Sequence, residues 1–218
     1  RLTTPDALGL SATLRALLDE GARFVAMEVS SHALEQHRAD AIPLAVAVFT
    51  NLTRDHLDYH VDMRAYREAK LRLIELLGQD GGCAVNADEP AWSSEAFGSA
   101  QVLRYGFDAT ADVRAEDPRF SAGGSEWDLV TPSGRSEVRL PLLGSFNISN
   151  ALAAAAAAHL LGLDATEIAL GLSAAPQVPG RMEVLVRRPA LVVRDYAHTP
   201  DALERALEAL RPSIRGRL

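Results

Sequence analysis

The sequence has one cysteine, Cys83, in 218 residues. An internal disulfide is therefore impossible, and a zinc site built from cysteines is excluded. A lone cysteine fits a reducing compartment, so a cytoplasmic location is the expectation. Long apolar runs are missing as well, and no stretch approaches the length of a membrane span. There is no basic surplus: 22 Lys and Arg stand against 29 Asp and Glu, a net charge of -7. That balance argues against a nucleic-acid-binding surface, although local positive groups can still hold a small anion. Nowhere does Gly-x-x-x-x-Gly-Lys-Ser/Thr occur, and Gly123-Gly124 reads as a turn.

What is present is the composition of an ordinary globular protein, 48% hydrophobic and 23% charged, enough to bury a core of normal size. The chain begins at Arg1 and runs straight into patterned sequence, which is expected of a piece of a longer protein. Thr4-Pro5-Asp6 reads as a helix start, with Thr4 as the cap and Pro5 at the first helical position. Leu10, Leu14, Leu17 and Leu18 give that helix an apolar face, and Gly21 stops it. Residues 24–29 form a short apolar run, expected as a strand buried on both faces, with Glu28 near its carboxyl end. Residues 44–49 predict a second such strand, ending in a polar loop that holds Asp55, His56 and Asp58. A helix over about 64–77 and a strand over 83–86 follow. Strands alternating with helices predict an α/β fold with a mainly parallel sheet and flanking helices.

Residues 112–143 break that rhythm, with short alternating runs and the Pro132-Ser133-Gly134 turn. They predict a small antiparallel patch packed beside the main sheet. Asn147 is read as the cap of an alanine-rich helix over 148–161, and Asp164 with Glu167 as a capping box for the next. Pro176, Pro179 and Gly180 mark a linker. A strand over 191–194 and a helix opened by Thr199-Pro200-Asp201 and ended by Pro212 are the first strand and helix of another α/β domain. The expected division is thus 1–178 and 179–218. Thr-Pro-Asp-Ala-Leu occurs at Thr4 and again at Thr199, and shared capping chemistry accounts for it without an internal repeat.

Lys70 is the most informative single residue. Tyr66, Ala69, Leu73, Ile74 and Leu77 define the apolar stripe of its helix, and Lys70 lies on that stripe. Two roles fit. Its stem packs on the core while the ammonium reaches water, or its amine has a lowered pKa and reacts with carbon dioxide to form a carbamate, a carboxylate-like metal ligand. Glu28 is either solvated just past its strand or a ligand at the carboxyl end of the sheet, where ligands gather. Asp55 and Asp58 carry oxygen ligands suited to Mg²⁺, and the His56 imidazole beside them is unusual but allowed; Asp-His-x-Asp alone is a weak motif. Ser30, Ser31, His32, Gln36, His37 and Arg38 form a polar loop, or a holder of phosphate or carboxylate.

In order along the chain, Thr3-Thr4-Pro5, Met27-Glu28-Val29-Ser30-Ser31-His32-Ala33-Leu34 and Phe49-Thr50-Asn51-Leu52-Thr53-Arg54-Asp55-His56-Leu57-Asp58-Tyr59-His60 resemble the Mur ligases. So do Gly144-Ser145-Phe146-Asn147-Ile148-Ser149-Asn150-Ala151, Pro179-Gly180-Arg181 and Asp195-Tyr196-Ala197-His198-Thr199-Pro200. The resemblance covers essentially the whole chain. It is narrowest toward the branch that adds the third residue to UDP-N-acetylmuramoyl-L-alanyl-D-glutamate.

That resemblance implies an ATP-binding central domain, a Rossmann-like last domain, and amide synthesis through an acyl phosphate. It implies Mg²⁺ and ATP as helpers, and a UDP-N-acetylmuramoyl-dipeptide, ATP and an amino acid as partners, with meso-diaminopimelate as the expected amino acid. Carried over by position, Lys70 as a carbamate, Glu28 and His56 are the catalytic and metal-associated residues. Thr3, Thr4, Ser30, Gln36 and Arg38 are the substrate contacts, and Asn147, Arg181, Asp195 and His198 the nucleotide contacts. It further implies a phosphate loop before Arg1 and an amino-acid selector beyond Leu218, so the 218-residue chain alone is expected to be inactive. Arg194 stands where an apolar strand residue is expected. Two rival readings share these features: a folylpolyglutamate synthase-like ligase, and a non-catalytic domain that binds a UDP-sugar-peptide.

Overall fold

The computed structural model describes residues 3–93, 97–98, 100–214 and 216, with the backbone alone at position 201. The expectations attached to Arg1, to Leu218 and to the side chain of Asp201 fall outside those residues. In chain order the elements are α1 (Ala7–Asp19), α2 (Ser31–Glu35), β1 (Leu44–Phe49), α3 (Met63–Leu71), β2 (Leu77–Asn86), β3 (Gln101–Gly106), β4 (Val113–Ser121), β5 (Gly124–Thr131), β6 (Gly134–Leu140), α4 (Ser145–Leu160), α5 (Ala165–Ser173), β7 (Glu183–Val186), β8 (Val192–Arg194) and α6 (Pro200–Leu210). Strands β1 to β6 form one sheet in that order, and β7 pairs with β8 in a second. No helix among the described residues is long and apolar enough to cross a membrane.

The sheet changes character along its width. β1, β2, β3 and β4 pair in parallel, and β4, β5 and β6 pair antiparallel. The expected antiparallel patch is therefore real, but it continues the main sheet instead of lying beside it. Two register pairs, Tyr105↔Val113 and Gly106↔Arg114, make the join. β3, which is not among the expected elements, supplies the connection.

β2 shows why its sequence is apolar on both faces. Ala84 points into a core formed with Leu103, Tyr105, Trp127, Leu129, Val138 and helices α4 and α5. Cys83 and Val85 point the other way, into a core with Ala47, Phe49, Tyr66, Trp92 and Phe97. Alternating directions along one strand make two cores from one run of residues. Burial pushes the Cys83 thiol up to about 11. α4 is rich in alanine, the best helix former, and Ala151, Ala155 and Ala156 are buried with Ile148 and Leu152.

Local rules account for most ends. Asp164 and Glu167 make the expected capping box for α5, and the Thr199 hydroxyl accepts from the Ala202 N–H at the start of α6. α3 does not run to residue 77. It tightens into a 3₁₀ turn over Arg72–Leu76, because Leu77 is already paired with Leu44 of β1. Residues 24–29 are not a strand. Among the described residues no neighbour pairs with them, and a strand exists only where another takes up its N–H and C=O groups. Phe24 and Val25 face solvent instead of a core.

Arg194 also has its explanation. It sits directly opposite Glu183 across the β7–β8 pair and donates from Nε to Glu183 Oε2 at 2.9 Å. Its exposed position needs a charge partner, not an apolar side chain. Leu143, Met182 and Leu210 form a third core between this hairpin and α6, with Val184, Val193 and Ala206 packed around it.

Two glycines test the packing. At Gly124, φ is +139° and an added Cβ would lie 2.1 Å from the Leu140 carbonyl oxygen. Gly124→Ala is expected to destabilise the fold by about 2–4 kcal/mol. Gly171 lies in α5 with nothing near a new Cβ, so Gly171→Ala should stabilise by about 0.5 kcal/mol. Thermal melts of the two variants should move in opposite directions.

Candidate functional site

The loop leaving β1 is fixed by side chains from its neighbours. Tyr105 Oη donates to the Phe49 carbonyl at 3.1 Å, and Trp92 Nε1 to the Thr50 carbonyl at 2.8 Å. Leu52 N–H donates to Glu89 Oε2 at 3.1 Å, and Asn86 Nδ2 to Asn51 Oδ1 at 3.0 Å. Asp88 takes the N–H groups of Phe107 and Asp108 at 2.8 and 3.2 Å. These contacts stand at the carboxyl ends of parallel strands, where open α/β sheets bind ligands. A cleft of about 300 Å³ opens there, lined by Asn51, Asn86, Asp88 and Phe107 on one side and Ser145, Phe146, Ser149 and Asn150 of α4 on the other.

Thr4 does not cap α1. Asp6 does, accepting from the Gly9 N–H at 2.8 Å. The buried Thr4 hydroxyl instead donates to the Glu28 carbonyl and accepts from the Ser30 N–H, both at 3.0 Å. A long-range N–H donor, that of Ser30, takes the place of the local one. Ser30 caps α2 through the Ala33 N–H. Arg38 Nη1 donates to the Thr4 carbonyl at 3.0 Å, and Arg38 Nε to Gln36 Oε1 at 3.0 Å. Gln36 Nε2 in turn donates to Tyr59 Oη at 3.0 Å. Four of the five residues expected on the substrate side, Thr4, Ser30, Gln36 and Arg38, thus form one hydrogen-bonded patch. Thr3 is exposed immediately beside it.

Glu28 is exposed and lies on the unpaired extended segment, so its carboxylate is solvated, not buried in a strand. Lys70 is half-buried, with its Nζ 5.1 Å from the centre of the Tyr66 ring. Desolvation lowers its pKa, and Asp55 offsets this in part. His56 is exposed, at a positive φ of 55°, and its N–H donates to Asp55 Oδ1 at 2.7 Å. Its ring stands edge-on to Tyr66 at 5.9 Å and to His32 at 5.1 Å. Lys70 and His56 therefore share Tyr66 as a neighbour. Among the described residues no three His, Cys, Asp or Glu side chains converge as a preformed cation site.

The residues expected on the nucleotide side fall into two connected groups. Asn147 is not a cap but a buried residue within α4, and Gly144 stands at the cap position. Asn147 Nδ2 donates to the Leu143 carbonyl at 2.8 Å, and its Oδ1 faces Asn150 Nδ2 at 3.5 Å. Leu143 packs against Met182, whose N–H donates to Asp195 Oδ2 at 2.8 Å. Asp195 Oδ1 also accepts from the Ala197 N–H at 2.8 Å. The Arg181 guanidinium lies 5.6 Å from the Tyr196 ring centre, and His198 lies 4.9 Å from the same ring. Tyr196 thus gathers Arg181 and His198, while Asp195 fixes the backbone beneath them.

Three contributors were not singled out in the sequence. His60 is buried, with Nε2 at 2.9 Å from Ser31 Oγ and Nδ1 at 3.2 Å from Glu35 Oε2. Its i, i+4 spacing from His56 was the available signal. Tyr59 joins Gln36 to His32, ring centres 4.0 Å apart. Asn150, about one turn after Asn147, is the amide of α4 that lines the cleft.

Comparisons with known proteins agree with this geometry. The Mur ligase middle domain profile matches residues 1–158. A UDP-N-acetylmuramoyl-L-alanyl-D-glutamate--2,6-diaminopimelate ligase from Gloeobacter violaceus is 46% identical over 220 residues, covering 100% of this chain and 45% of the relative. The protein of the same name from Geobacter sulfurreducens is 48% identical over 225 residues, covering 99% and 44%. A solved structure of a ligase with that name superposes with a TM-score of 0.83 at 37% identity, covering 97% of this chain and 45% of that one. The chain therefore spans a little under half the length of these relatives.

Two measurements probe the site's framework. Thr4→Val keeps the shape but strands the Ser30 N–H and the Glu28 carbonyl. It should cost about 1–3 kcal/mol in chemical denaturation, with Thr4→Ser near wild type. His60 has its pKa lowered from 6.5, first by desolvation, against an opposing pull from Glu35. The unfolded chain therefore binds the proton before the native state does. Its contribution is fully present above the unfolded value and is lost as pH falls toward the lowered native one. Melting temperature should decline below about pH 6.5, and His60→Phe should flatten that part of the profile.

Proposed function

This chain belongs to the Mur ligase family, and from that premise we propose that it is part of an ATP-dependent ligase of peptidoglycan precursor synthesis. Residues 1–178 are the central domain and residues 179–218 the opening of the last. In the whole enzyme the reaction adds meso-diaminopimelate to UDP-N-acetylmuramoyl-L-alanyl-D-glutamate, in the cytoplasm. The observation that carries this reading is the adjacency of two clusters. The Thr4–Ser30–Arg38–Gln36 patch ends on Tyr59, and Tyr59 continues through His32 and His56 to Tyr66 and Lys70.

Each part has work suited to its chemistry. Thr3, Thr4, Ser30, Gln36 and Arg38 hold the UDP-sugar-peptide, the Thr3 and Ser30 hydroxyls and the guanidinium charge of Arg38 facing its anionic groups and the buried Thr4 fixing Ser30 beneath them. The γ-carboxylate of D-glutamate attacks the terminal phosphorus of ATP, ADP leaves, and an acyl phosphate remains. The amine of the incoming amino acid then attacks the acyl carbon, the amine proton is lost, and phosphate departs. Asn147, Arg181, Asp195 and His198 serve the nucleotide, Asn147 by placing Asn150 and Asp195 by fixing the backbone under Tyr196.

The depressed pKa of Lys70 favours its neutral amine, the form that adds carbon dioxide with loss of a proton. The resulting carbamate, with Glu28 and His56, presents two oxygen-bearing anions and an imidazole, a donor set that fits Mg²⁺. When bound there, Mg²⁺ neutralises charge on the phosphate oxygens.

Phosphate release by the full-length protein tests the reading. It should require both the UDP-muramoyl-dipeptide and diaminopimelate, and should rise with bicarbonate in carbon-dioxide-depleted buffer. Lys70→Ala should lower turnover by about 10²-fold or more. Release with a folate acceptor in place of the UDP substrate would overturn the assignment, and near-normal turnover of Lys70→Ala would remove the carbamate from it.

A further inference from the structure

His60 is a buried side chain that touches α2, the loop after β1 and α3. Its N–H donates to the His56 carbonyl at 2.9 Å, closing the turn that presents His56. Its ring lies stacked on Tyr66, centroids 5.1 Å apart and planes 30° from parallel. Tyr66 is also the ring beneath Lys70 Nζ. On its other side the imidazole meets Ser31 and Glu35 of α2. The Glu35 carboxylate, 3.2 Å from Nδ1, favours the tautomer with its proton on that nitrogen, and in that tautomer Nε2 accepts the Ser31 O–H. Ser31 follows Ser30, the residue that both caps α2 and bonds Thr4.

We propose that His60 is a positioning residue that holds the UDP-substrate patch and the Lys70 centre in fixed register, by a hydrogen-bonding arm to Ser31 and a stacking arm to Tyr66. The inference rests on the ligase reading given above. His60 does not touch the reacting atoms. It acts through Ser31 on the substrate side and through Tyr66 on the lysine side. The two arms use different properties of the ring, one its Nε2 lone pair and the other its flat face, so substitution can separate them. Desolvation that favours the neutral ring is consistent with the donor and acceptor assignment.

The test uses the full-length ligase. His60→Phe keeps a stacking face and loses the acceptor. Its Michaelis constant for UDP-muramoyl-dipeptide, and the dissociation constant by calorimetry, should rise by about fivefold or more, with an unchanged bicarbonate requirement. His60→Gln keeps a carbonyl acceptor for Ser31 and loses the ring. Its affinity for the UDP substrate should stay near wild type, while turnover falls about tenfold and is partly restored by added bicarbonate. Ser31→Ala should reproduce the His60→Phe profile, and decides the substrate arm if a His60 variant fails to fold. Variants that share one profile, or that all match wild type, overturn the inference while leaving the ligase reading intact. A wild-type enzyme that neither binds the UDP substrate nor releases phosphate overturns both.

Discussion

Everything in the site depends on the carboxyl end of β1 staying where the sheet puts it. Tyr105, Trp92, Glu89 and Asn86 hold the four residues from Phe49 to Leu52 from three directions. Tyr105 and Trp92 are both fully buried aromatics whose polar tips find a backbone carbonyl. The aromatic bodies fill the core, and the tips fix the loop. The chain that runs on from this point carries Asp55, His56, Tyr59 and His60, so their positions inherit the precision of β1.

Polar contacts do for the remaining segments what the sheet does for β1. Among the described residues, 24–30 have no strand partner, and Thr4 holds them with one donated and one accepted bond. Lys70 is placed by opposing forces: burial disfavours its charge, and the nearby Asp55 favours it. Neither a fully exposed lysine nor one paired tightly to a carboxylate would leave the amine as ready to become neutral.

The α/β character, β1, the α5 capping box and the Thr199 cap were legible because each follows from periodicity or from chemistry within four residues. Thr4 has the side chain of a good cap, but its partners Glu28 and Ser30 are reached only once the chain is folded. Asn147 bonds locally, to the Leu143 carbonyl, but from inside α4, where Gly144 holds the cap position. β3 escaped notice because Gln101 and Arg104 interrupt its apolar pattern, and β7 because four residues carry little periodicity. The 24–29 run reads as a buried strand in isolation, yet strand character belongs to a pair and not to a single segment. The candidate site residues are named as a group only by resemblance. Their mutual bonds were not legible, since Gln36 and Tyr59 stand 23 residues apart.

The alanines of α4 have a mechanical meaning. With side chains one carbon long at Ala151, Ala155 and Ala156, the helix axis rests close to the strands and has no soft layer beneath it. A packed interior passes displacement on instead of absorbing it. The first two turns of that same helix carry Ser145, Phe146, Ser149 and Asn150, which form one wall of the cleft opposite Asn51 and Asp88. The width of the cleft is thus gauged by the smallest side chains in the protein, as a spacer sets the gap between two plates.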